Sequence, residues 1–472
     1  MINLARRLAS VAGVVFAAAT IIPAPATIAQ DQPTAKLPPP AGQPDPLSIA
    51  SNQDTPPAQP PATPATQPEA KPAEPQPFDL WTSKRATGDW GGVRTWMDNT
   101  GIDFSMVYTP VFQNNFYGGN ETHNAQEFTG DLRINLNLDF EKMKLIPGGF
   151  FFIRGKSSYN TGLGRDVGSI SATSWGITAG DDEFFLDKWW YGQRFLDKKI
   201  ELRFGKLLSP VDLIDTNAYA GNPWDQFMNS VLNQNPTVPH RKSLGAYLKI
   251  KPTDWFYFST AAIDADEPNP NRCWATDVGL HGGAHYVGYW EFGLTPTFQS
   301  AKGPMPGNYR FGFHCDPRPL PVYMPATVPA IYRRSHADDM GMYLSFDQLM
   351  WKENSDPKDK QGFGAFFRYG MAHQDINRIA QFWSVGAQYQ GLIPTRDKDV
   401  LAFGVGDSLL SHTLRHKVNP LADRETVYEL YYAIQITPWL IVYPDLQLIV
   451  NPGGNQDAHD ALVGGVKVKL TL

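Results

Sequence analysis

Along most of its length, this chain alternates polar and apolar residues with a period of two. From 131 to 140, the odd positions carry aspartate, arginine or asparagine, whereas the even positions carry leucine, isoleucine or phenylalanine. The segment from 464 to 472 repeats the pattern, with Lys467, Lys469 and Thr471 opposite valine and leucine. Because successive side chains of a β-strand point to opposite faces, this alternation predicts strands with one wet face and one apolar face.

The pattern recurs in about sixteen segments, an even number, as an antiparallel barrel closed in lipid requires. Besides the two segments above, similar runs begin near Ile102, Gly149, Glu183, Lys199, Ser243, Trp255, His285, Asn308, Asp339, Gly362, Gln381, Asp399, Glu425 and Trp439.

The lengths of the connections discriminate between a membrane barrel and a soluble β-sandwich or propeller, which also alternates. Long connections near 114–130, 160–181, 208–242, 264–284, 316–338 and 409–424 are separated by tight joints such as Pro252-Thr253-Asp254 and Thr437-Pro438. Long extracellular loops and short periplasmic turns are typical of outer-membrane barrels. We therefore predict an all-β fold, a transmembrane antiparallel β-barrel of about 16 strands.

The first residues predict export. Arg6 and Arg7 precede an apolar stretch from 8 to 22 that ends in small residues, as in a cleaved signal peptide, which we place at 1–29. Cleavage after Ala26 would satisfy the same small-residue rule.

Residues 30–77 are rich in Pro, Ala, Gln and Thr and predict a disordered periplasmic tether, with peptidoglycan as a candidate partner. Residues 78–472 form the predicted barrel domain, with a periplasmic lead-in at 78–101.

Composition argues against several other classes of protein. Removing Arg6 and Arg7 with the signal peptide changes the formal charge from −6 to −8, which argues against a nucleic-acid partner. A mean hydropathy of −0.33 and short apolar runs argue against a helical transporter. The ten histidines form no HExxH motif, and GxSxG is absent. We therefore predict no metal, no cofactor and no catalytic residue.

Long motifs in a characteristic order resemble the carbohydrate-selective porins of the OprB family, from about Trp81 to the end of the chain. They include ATGDWGGVRTWMDNTGIDFSMVY, LDKWWYGQRFLDKKIELRFGKLLSP, SLGAYLKIKPTDWFYFSTAAIDAD, PGNYRFGFHCD, ETVYELYYAIQITPWLIVYPDLQLIVNPGG and ALVGGVKVKL. The resemblance implies a sixteen-stranded barrel in the outer membrane that lets sugars diffuse inward through a narrow eyelet of charged and aromatic side chains. Expected partners are sugars, outer-membrane lipid, the barrel-assembly machinery and, by analogy, two further copies in a homotrimer. Many such barrels end in phenylalanine, whereas this chain ends in Leu472.

A neutral sugar must exchange its hydrogen bonds with water for others at a constriction, and charged side chains suit that exchange. The inward phase of the strands selects Asp131, Arg133, Arg154, Lys156, Glu201, Arg203, Glu291 and Arg310 as pore-lining candidates. The connection from 208 to 242 adds Asp212, Asp215, Trp224 and Asp225, and we expect it to fold inward, with a short helix near 223–232. The alternative for any one residue is that it hydrates and braces a wide pore.

Two other functions remain open from the sequence. One is a general or ion-selective diffusion porin of the same architecture, and the other is an exported glycan-active enzyme on a soluble β-fold. For a sugar channel we expect passive, saturable flux, because a solute that binds tightly cannot leave.

Cys273 and Cys315 are the only cysteines. Tracing the strand directions puts both at the extracellular face, in an oxidising compartment, so a disulfide between two adjacent outer loops is predicted, with free thiols as the alternative.

Overall fold

The computed structural model describes residues 78–174, 176–177, 184–210, 212–266, 283–329, 332–356 and 359–472. The predicted signal peptide and tether lie outside these residues. None of the helices in the described part of the chain is both long enough and apolar enough to cross a bilayer.

Sixteen antiparallel strands form the wall. They are β1 Ile102–Tyr117, β2 Gln126–Asp139, β3 Gly149–Tyr159, β4 Phe184–Phe195, β5 Ile200–Ser209, β6 Arg241–Thr253, β7 Phe256–Asp264, β8 Tyr286–Leu294, β9 Gly303–Asp316, β10 Asp339–Lys352, β11 Gly362–Met371, β12 Ile379–Gln390, β13 Val400–Leu410, β14 Arg424–Thr437, β15 Leu440–Val450 and β16 Ala461–Thr471. Each pairs with the next, and β1 also pairs with β16, with Tyr108 opposite Leu470. The sheet is therefore a closed barrel, which removes the unpaired edges that lipid could not satisfy.

The alternation read from the sequence separates the inside of this wall from the outside. On β2, Asp131, Arg133 and Asn135 are almost fully buried inside the barrel, whereas Leu132 and Ile134 between them face outward and stay partly exposed. Large apolar side chains are exposed around the outer surface, among them Phe112, Phe128, Phe204, Phe292, Phe311 and Phe403. A polar interior with an apolar exterior is the arrangement expected of a barrel whose outer solvent is lipid.

The two ends of the barrel differ as predicted. Turns of two to four residues join β4 to β5, β6 to β7 and β14 to β15 at the end where β1 starts, and the longest connections, such as the one from β5 to β6, lie at the opposite end. We call these the short-turn end and the long-loop end. One expectation was wrong: the first connection covers only 118–125 rather than 114–130. The reason is that β2 pairs with β1 from Gln126 onward, and β1 continues to Tyr117 by pairing with β16.

Helices are few and short in the described residues. They are α1 Val93–Thr100, α2 Gly164–Val167, α3 Ser230–Asn233 and α4 His412–Lys417, with single 3₁₀ turns at Trp90–Gly92 and Pro452–Gly454. Two-residue strands Leu320–Pro321 and Ser335–His336 pair within the connection from β9 to β10, and Thr297–Ser300 pairs with the start of β9.

Candidate functional site

The connection between β5 and β6 lies inside the barrel, as expected. We call residues 210–240 the constriction loop. The Trp224 indole N–H donates to Asp131 Oδ2 on β2 at 2.9 Å. On other parts of the wall, Glu291 of β8 accepts from the Asp215 N–H at 2.7 Å, and Lys467 of β16 donates to the Pro223 carbonyl at 2.6 Å. A segment that reaches inward-facing residues of β2, β8 and β16 must cross the lumen.

Wall charges satisfy the backbone of the constriction loop, which would otherwise bury unpaired polar groups. Glu429 on β14 accepts the backbone N–H groups of Met228 and Asn229, at 2.5 and 2.9 Å. Arg368 on β11, which is fully buried, donates to the carbonyls of Ala220 and Leu232, at 2.6 and 3.0 Å. These wall residues therefore act as anchors for the loop.

A salt bridge and a glycine complete the environment of Arg368. Its Nε lies 3.3 Å from Asp215 Oδ1, and the Asp215 carbonyl accepts from Nη2 at 3.2 Å. Burial raises the pKa of the Asp215 carboxyl above its usual value, and the Arg368 guanidinium counteracts this shift. Gly221 has φ +141° and a Cβ there would lie 3.1 Å from Arg368 Nη2. A side chain at position 221 would strain the backbone and crowd the guanidinium.

Inward-facing glycines make room for the loop on β11 and β13. A Cβ on Gly404 would lie 3.1 Å from Leu232 Cδ2, and one on Gly406 would lie 2.7 Å from Val231 Cγ1. On β11, a Cβ on Gly364 would come within 2.0 Å of the Tyr219 ring. The loop thus packs directly on the backbone of these strands and forms a dry cluster around its own Phe227.

We expect Gly404→Leu to destabilise the docked loop by about 1–3 kcal/mol, the usual cost of overpacking a close-packed contact. The added side chain would displace Leu232 and Phe227. Limited proteolysis in vesicles should show faster cleavage within the loop, and channel recordings should show more open-state noise. Phe403→Leu, which changes the outward face of the same strand, is the matched control. Equal cleavage of both variants and the unchanged protein would contradict this packing.

The expected helix near 223–232 is wrong in position and length, since the structure has only Ser230–Asn233. The Asn222 side chain accepts from the Trp224 N–H at 3.1 Å and holds a turn there. The Asn229 side chain then caps α3 by accepting from the Val231 N–H at 3.1 Å. Asparagine side chains compete for the N–H groups that a longer helix would use.

The connection between β3 and β4 also enters the lumen, which the sequence analysis did not predict. Glu425 on β14 accepts from the Ile170 N–H at 2.8 Å and from the Ser169 hydroxyl at 2.7 Å. The Ala172 carbonyl accepts from the Ser230 N–H of the constriction loop at 2.9 Å. Two outer connections therefore meet inside the barrel and together fill the side formed by β11 to β16.

On the opposite side of the barrel, strands β2 to β6 carry a series of inward-facing cations. Each carboxylate on these strands pairs with two of the cations. Asp131 lies 3.7 Å from Arg133 and 3.5 Å from Lys156. Asp187 of β4 lies 3.8 Å from Arg154 and 3.1 Å from Lys242. We call this surface the cationic wall. Its members are Arg133, Arg154, Lys156, Lys188, Arg194, Arg203 and Lys242, with Asp131, Asp187, Glu201 and Asp212 between them.

The predicted residues Glu201, Arg203 and Asp212 belong to the same surface. Glu201 pairs with Arg194 at 3.0 Å and with Arg203 at 2.5 Å. Asp212, from the constriction loop, pairs with Lys188. The cationic wall thus carries more positive than negative groups over five neighbouring strands, and most of these side chains are nearly buried.

Aromatic rings lie against these cations. The Arg133 guanidinium is 3.9 Å from the centroid of the Trp224 ring, and Arg203 is 5.5 Å from the rings of both Trp190 and Tyr247. Such contacts hold a guanidinium in place. Trp190 and Tyr247 are themselves buried, whereas Trp224 stays partly exposed. Trp190 stacks on Phe152 with the ring centroids 4.2 Å apart.

The remaining predicted residues lie in two other groups. Glu291 accepts from the Tyr257 and Tyr343 hydroxyls at 2.8 and 2.7 Å and is thus an anchor for the loop rather than a free carboxylate. Arg310 pairs with Asp347 at 2.6 Å on the adjacent strand.

Asp225 of the constriction loop pairs with Lys469 of β16. Burial would raise the pKa of the Asp225 carboxyl, but the Lys469 ammonium outweighs burial and holds it below its usual value. This carboxylate therefore contributes to docking the loop on β16.

Cys315 lies near the long-loop end of β9, on the outward phase, and is partly exposed. Cys273 lies outside the described residues, so the disulfide stays a prediction. In the described part of the chain, no three His, Cys, Asp or Glu side chains are grouped so as to hold a metal ion.

Three anchors were missed from the sequence, namely Arg368, Glu429 and Lys467. A usable signal was present for Arg368, which is the one charge of its strand and lies between inward glycines in the run GFGAFFRYGM. An inward-facing charge flanked by inward-facing glycines indicates a surface on which the backbone of a loop packs.

The fold and the sequence both match known porins. Residues 99–472 match the sequence profile of the carbohydrate-selective porin, OprB family. Porin B of Pseudomonas aeruginosa is 25% identical over 83% of this chain and 92% of that protein. A putative porin, QuiX, of Acinetobacter baylyi is 21% identical over 84% of this chain and 95% of that protein.

A solved structure of OprB from Pseudomonas putida, at high pH, superposes with a TM-score of 0.72 at 22% identity, covering 83% of this chain and 99% of that one. At this identity the superposition establishes the barrel fold, and the profile match over most of the chain establishes the family. The chain is an outer-membrane β-barrel that belongs to the OprB family of carbohydrate-selective porins.

Proposed function

We propose that sugars cross this channel by passive, saturable diffusion along the cationic wall, past the constriction loop. The observation that carries the proposal is the arrangement of paired charges beside rings, with Arg133 on Trp224 and Arg203 between Trp190 and Tyr247. Guanidinium and carboxylate groups exchange hydrogen bonds with a polyol, and rings contact its C–H faces. On the opposite side, Arg368, Glu429 and Lys467 are each engaged by loop backbone. Lys156 of the cationic wall also donates to a loop carbonyl, that of Gly176, at 2.5 Å, whereas Arg194 and Arg203 pair with Glu201 of the wall.

The path we infer uses Asp131, Arg133, Arg154, Lys156, Glu201, Arg203, Asp212 and Trp224. The roles of Glu291, Asp215 and Asp225 are then to dock the loop, and Arg310 braces the wall through Asp347. Because the carboxylates are committed to these pairs, we infer transport without catalysis.

Saturable flux tests the proposal. In liposomes containing the protein, swelling rates with mono- and disaccharides should saturate at millimolar concentrations or above. Charged solutes of matched size should compete with a sugar for passage less than a second sugar does. Linear, non-selective flux would favour the second candidate, a general diffusion porin. The excess of cations on the wall would then show as anion preference in bilayer recordings.

We expect Arg203→Gln to raise the half-saturating sugar concentration roughly tenfold, since that corresponds to losing about 1.4 kcal/mol of hydrogen bonding. Arg334→Gln, in the exposed connection from β9 to β10, is the control and should change nothing. Both variants should keep the same single-channel conductance within a small factor. Identical saturation curves for the two variants would remove Arg203 from the proposed path.

We further propose that residues 1–29 are cleaved on export, that 30–77 form a periplasmic tether able to contact peptidoglycan, and that the barrel-assembly machinery inserts the protein, which then forms a homotrimer. The exposed apolar belt supports insertion into lipid. Mass spectrometry of the mature N-terminus and cross-linking in envelopes would test cleavage and trimer formation.

A further inference from the structure

The lead-in segment, residues 78–100, is fastened to the short-turn end of the barrel where its first and last strands meet. The Ala86 N–H donates to the Thr471 carbonyl at 2.8 Å, at the end of β16. The Trp439 indole N–H, between β14 and β15, donates to the Leu80 carbonyl at 2.9 Å. Arg94 Nη1 donates to the Leu472 carbonyl at 3.0 Å. The segment therefore has a fixed position beside the β1–β16 seam.

The segment reaches the outer surface of the wall and not the lumen. The ring centroid of Trp90 lies 5.8 Å from that of Phe104, which shares the outward phase of β1 with Phe112. The buried Arg94 guanidinium lies 3.8 Å from the Trp90 ring centroid and 6.0 Å from that of Phe104, and it contacts the indole there. The lead-in thus continues the exposed apolar belt at its periplasmic edge.

The lead-in exposes an unusual amount of apolar surface. Trp96 is 60% exposed and Val93, one helical turn earlier on α1, is 48% exposed. With Phe78, Leu80, Trp81 and Trp90, each at least 45% exposed, they are six exposed apolar side chains within twenty residues, which we call the lead-in patch. Two polar residues of the lead-in pair with each other, with Arg85 Nη2 lying 3.6 Å from Asp98 Oδ2. Exposed patches of this kind mark an interaction surface.

We propose that this patch, Phe78, Leu80, Trp81, Trp90, Val93 and Trp96, inserts into the headgroup region of the periplasmic leaflet and anchors the β1–β16 seam to phospholipid. Tryptophan favours this region because its ring is apolar and its N–H is polar. The contact between Trp90 and the outward-facing Phe104 makes the patch continuous with the lipid-facing wall. A phospholipid surface is therefore the occupant that the position of the patch favours.

Site-specific fluorescence in the full chain tests the proposal. An environment-sensitive label is placed by Trp96→Cys, and by Asp98→Cys as control, with Cys273→Ser and Cys315→Ser in both. Position 98 lies on the other side of α1, and losing an exposed ion pair costs little. In phospholipid vesicles, label 96 should emit at shorter wavelength than label 98. A quencher on the lipid headgroup or upper acyl chain should quench label 96 several-fold more strongly.

Equal, water-like emission at both positions would overturn the proposal. So would a shielded label 96 that lipid-borne quenchers do not reach, because the patch would then be covered by a second copy or by another part of the chain. A second variant is independent of labelling: Val93→Ser with Trp96→Ser should unfold at lower urea concentration in vesicles, while conductance stays unchanged. No difference in unfolding between this variant and the unchanged protein would also contradict an anchor.

Discussion

Deletion of Asn222–Asn233 should raise single-channel conductance several-fold and weaken discrimination between small and large sugars. This segment carries Trp224 on the cationic wall and Phe227 in the dry cluster against β11 to β14, so it occupies lumen that water would fill after its removal. The anchors Glu429 and Lys467 would then face the pore, and the cross-section available to ions would grow. Recordings in planar bilayers measure the conductance, and liposome swelling measures the discrimination.

A matched deletion distinguishes loss of the constriction from general damage to the outer end. Removing Ala326–Val328 shortens the exposed connection from β9 to β10. In the described part of the chain, these three residues make no contact with the inner face of the barrel. Its conductance should equal that of the unchanged protein. An intact, heat-modifiable barrel whose conductance does not change when 222–233 is removed would show that the loop does not limit flux.

Ile134→Arg should cost about 2–4 kcal/mol of folding free energy in a bilayer, the usual cost of an arginine on the lipid face near mid-depth. Ile134 faces outward near the middle of β2, opposite Met106 and Gly155. The expected result is a lower folded fraction and a lower urea midpoint in vesicles, read from heat-modifiable migration on gels.

Asn137→Arg is the control on the same strand, because position 137 faces the lumen. Its side chain lies 3.3 Å from Asp103 Oδ2, so a new guanidinium would have a carboxylate to pair with. We expect a change in stability below about 1 kcal/mol, the size of most substitutions on a wet surface. Equal losses for the two variants would mean that the inward and outward phases of β2 are reversed.

The sequence alone determined the wall of this protein. Period-two alternation is a local property, because it assigns each residue to one of two faces as soon as the chain is extended. The apolar face then lies against lipid outside the barrel and the polar face against water inside it. The number of strands and the polarity of Asp131 and Arg133 were therefore predictable from residues near one another in the chain. The inward course of the constriction loop was expected from its length and from its position in large porins. Most strand starts were predicted within a few residues, but β2 and β9 begin earlier than predicted, at Gln126 rather than Asp131 and at Gly303 rather than Asn308.

Only the tertiary structure decided which inward charges hold the loops. Alternation places Lys467 and Glu429 inside, but their partners are carbonyl and N–H groups about two hundred residues away in the chain, at Pro223 and Met228. The inward course of the connection from β3 to β4 likewise depends on Glu425. A strand pattern specifies a face and not a contact, and buried backbone groups take whatever partner barrel closure brings within hydrogen-bond distance.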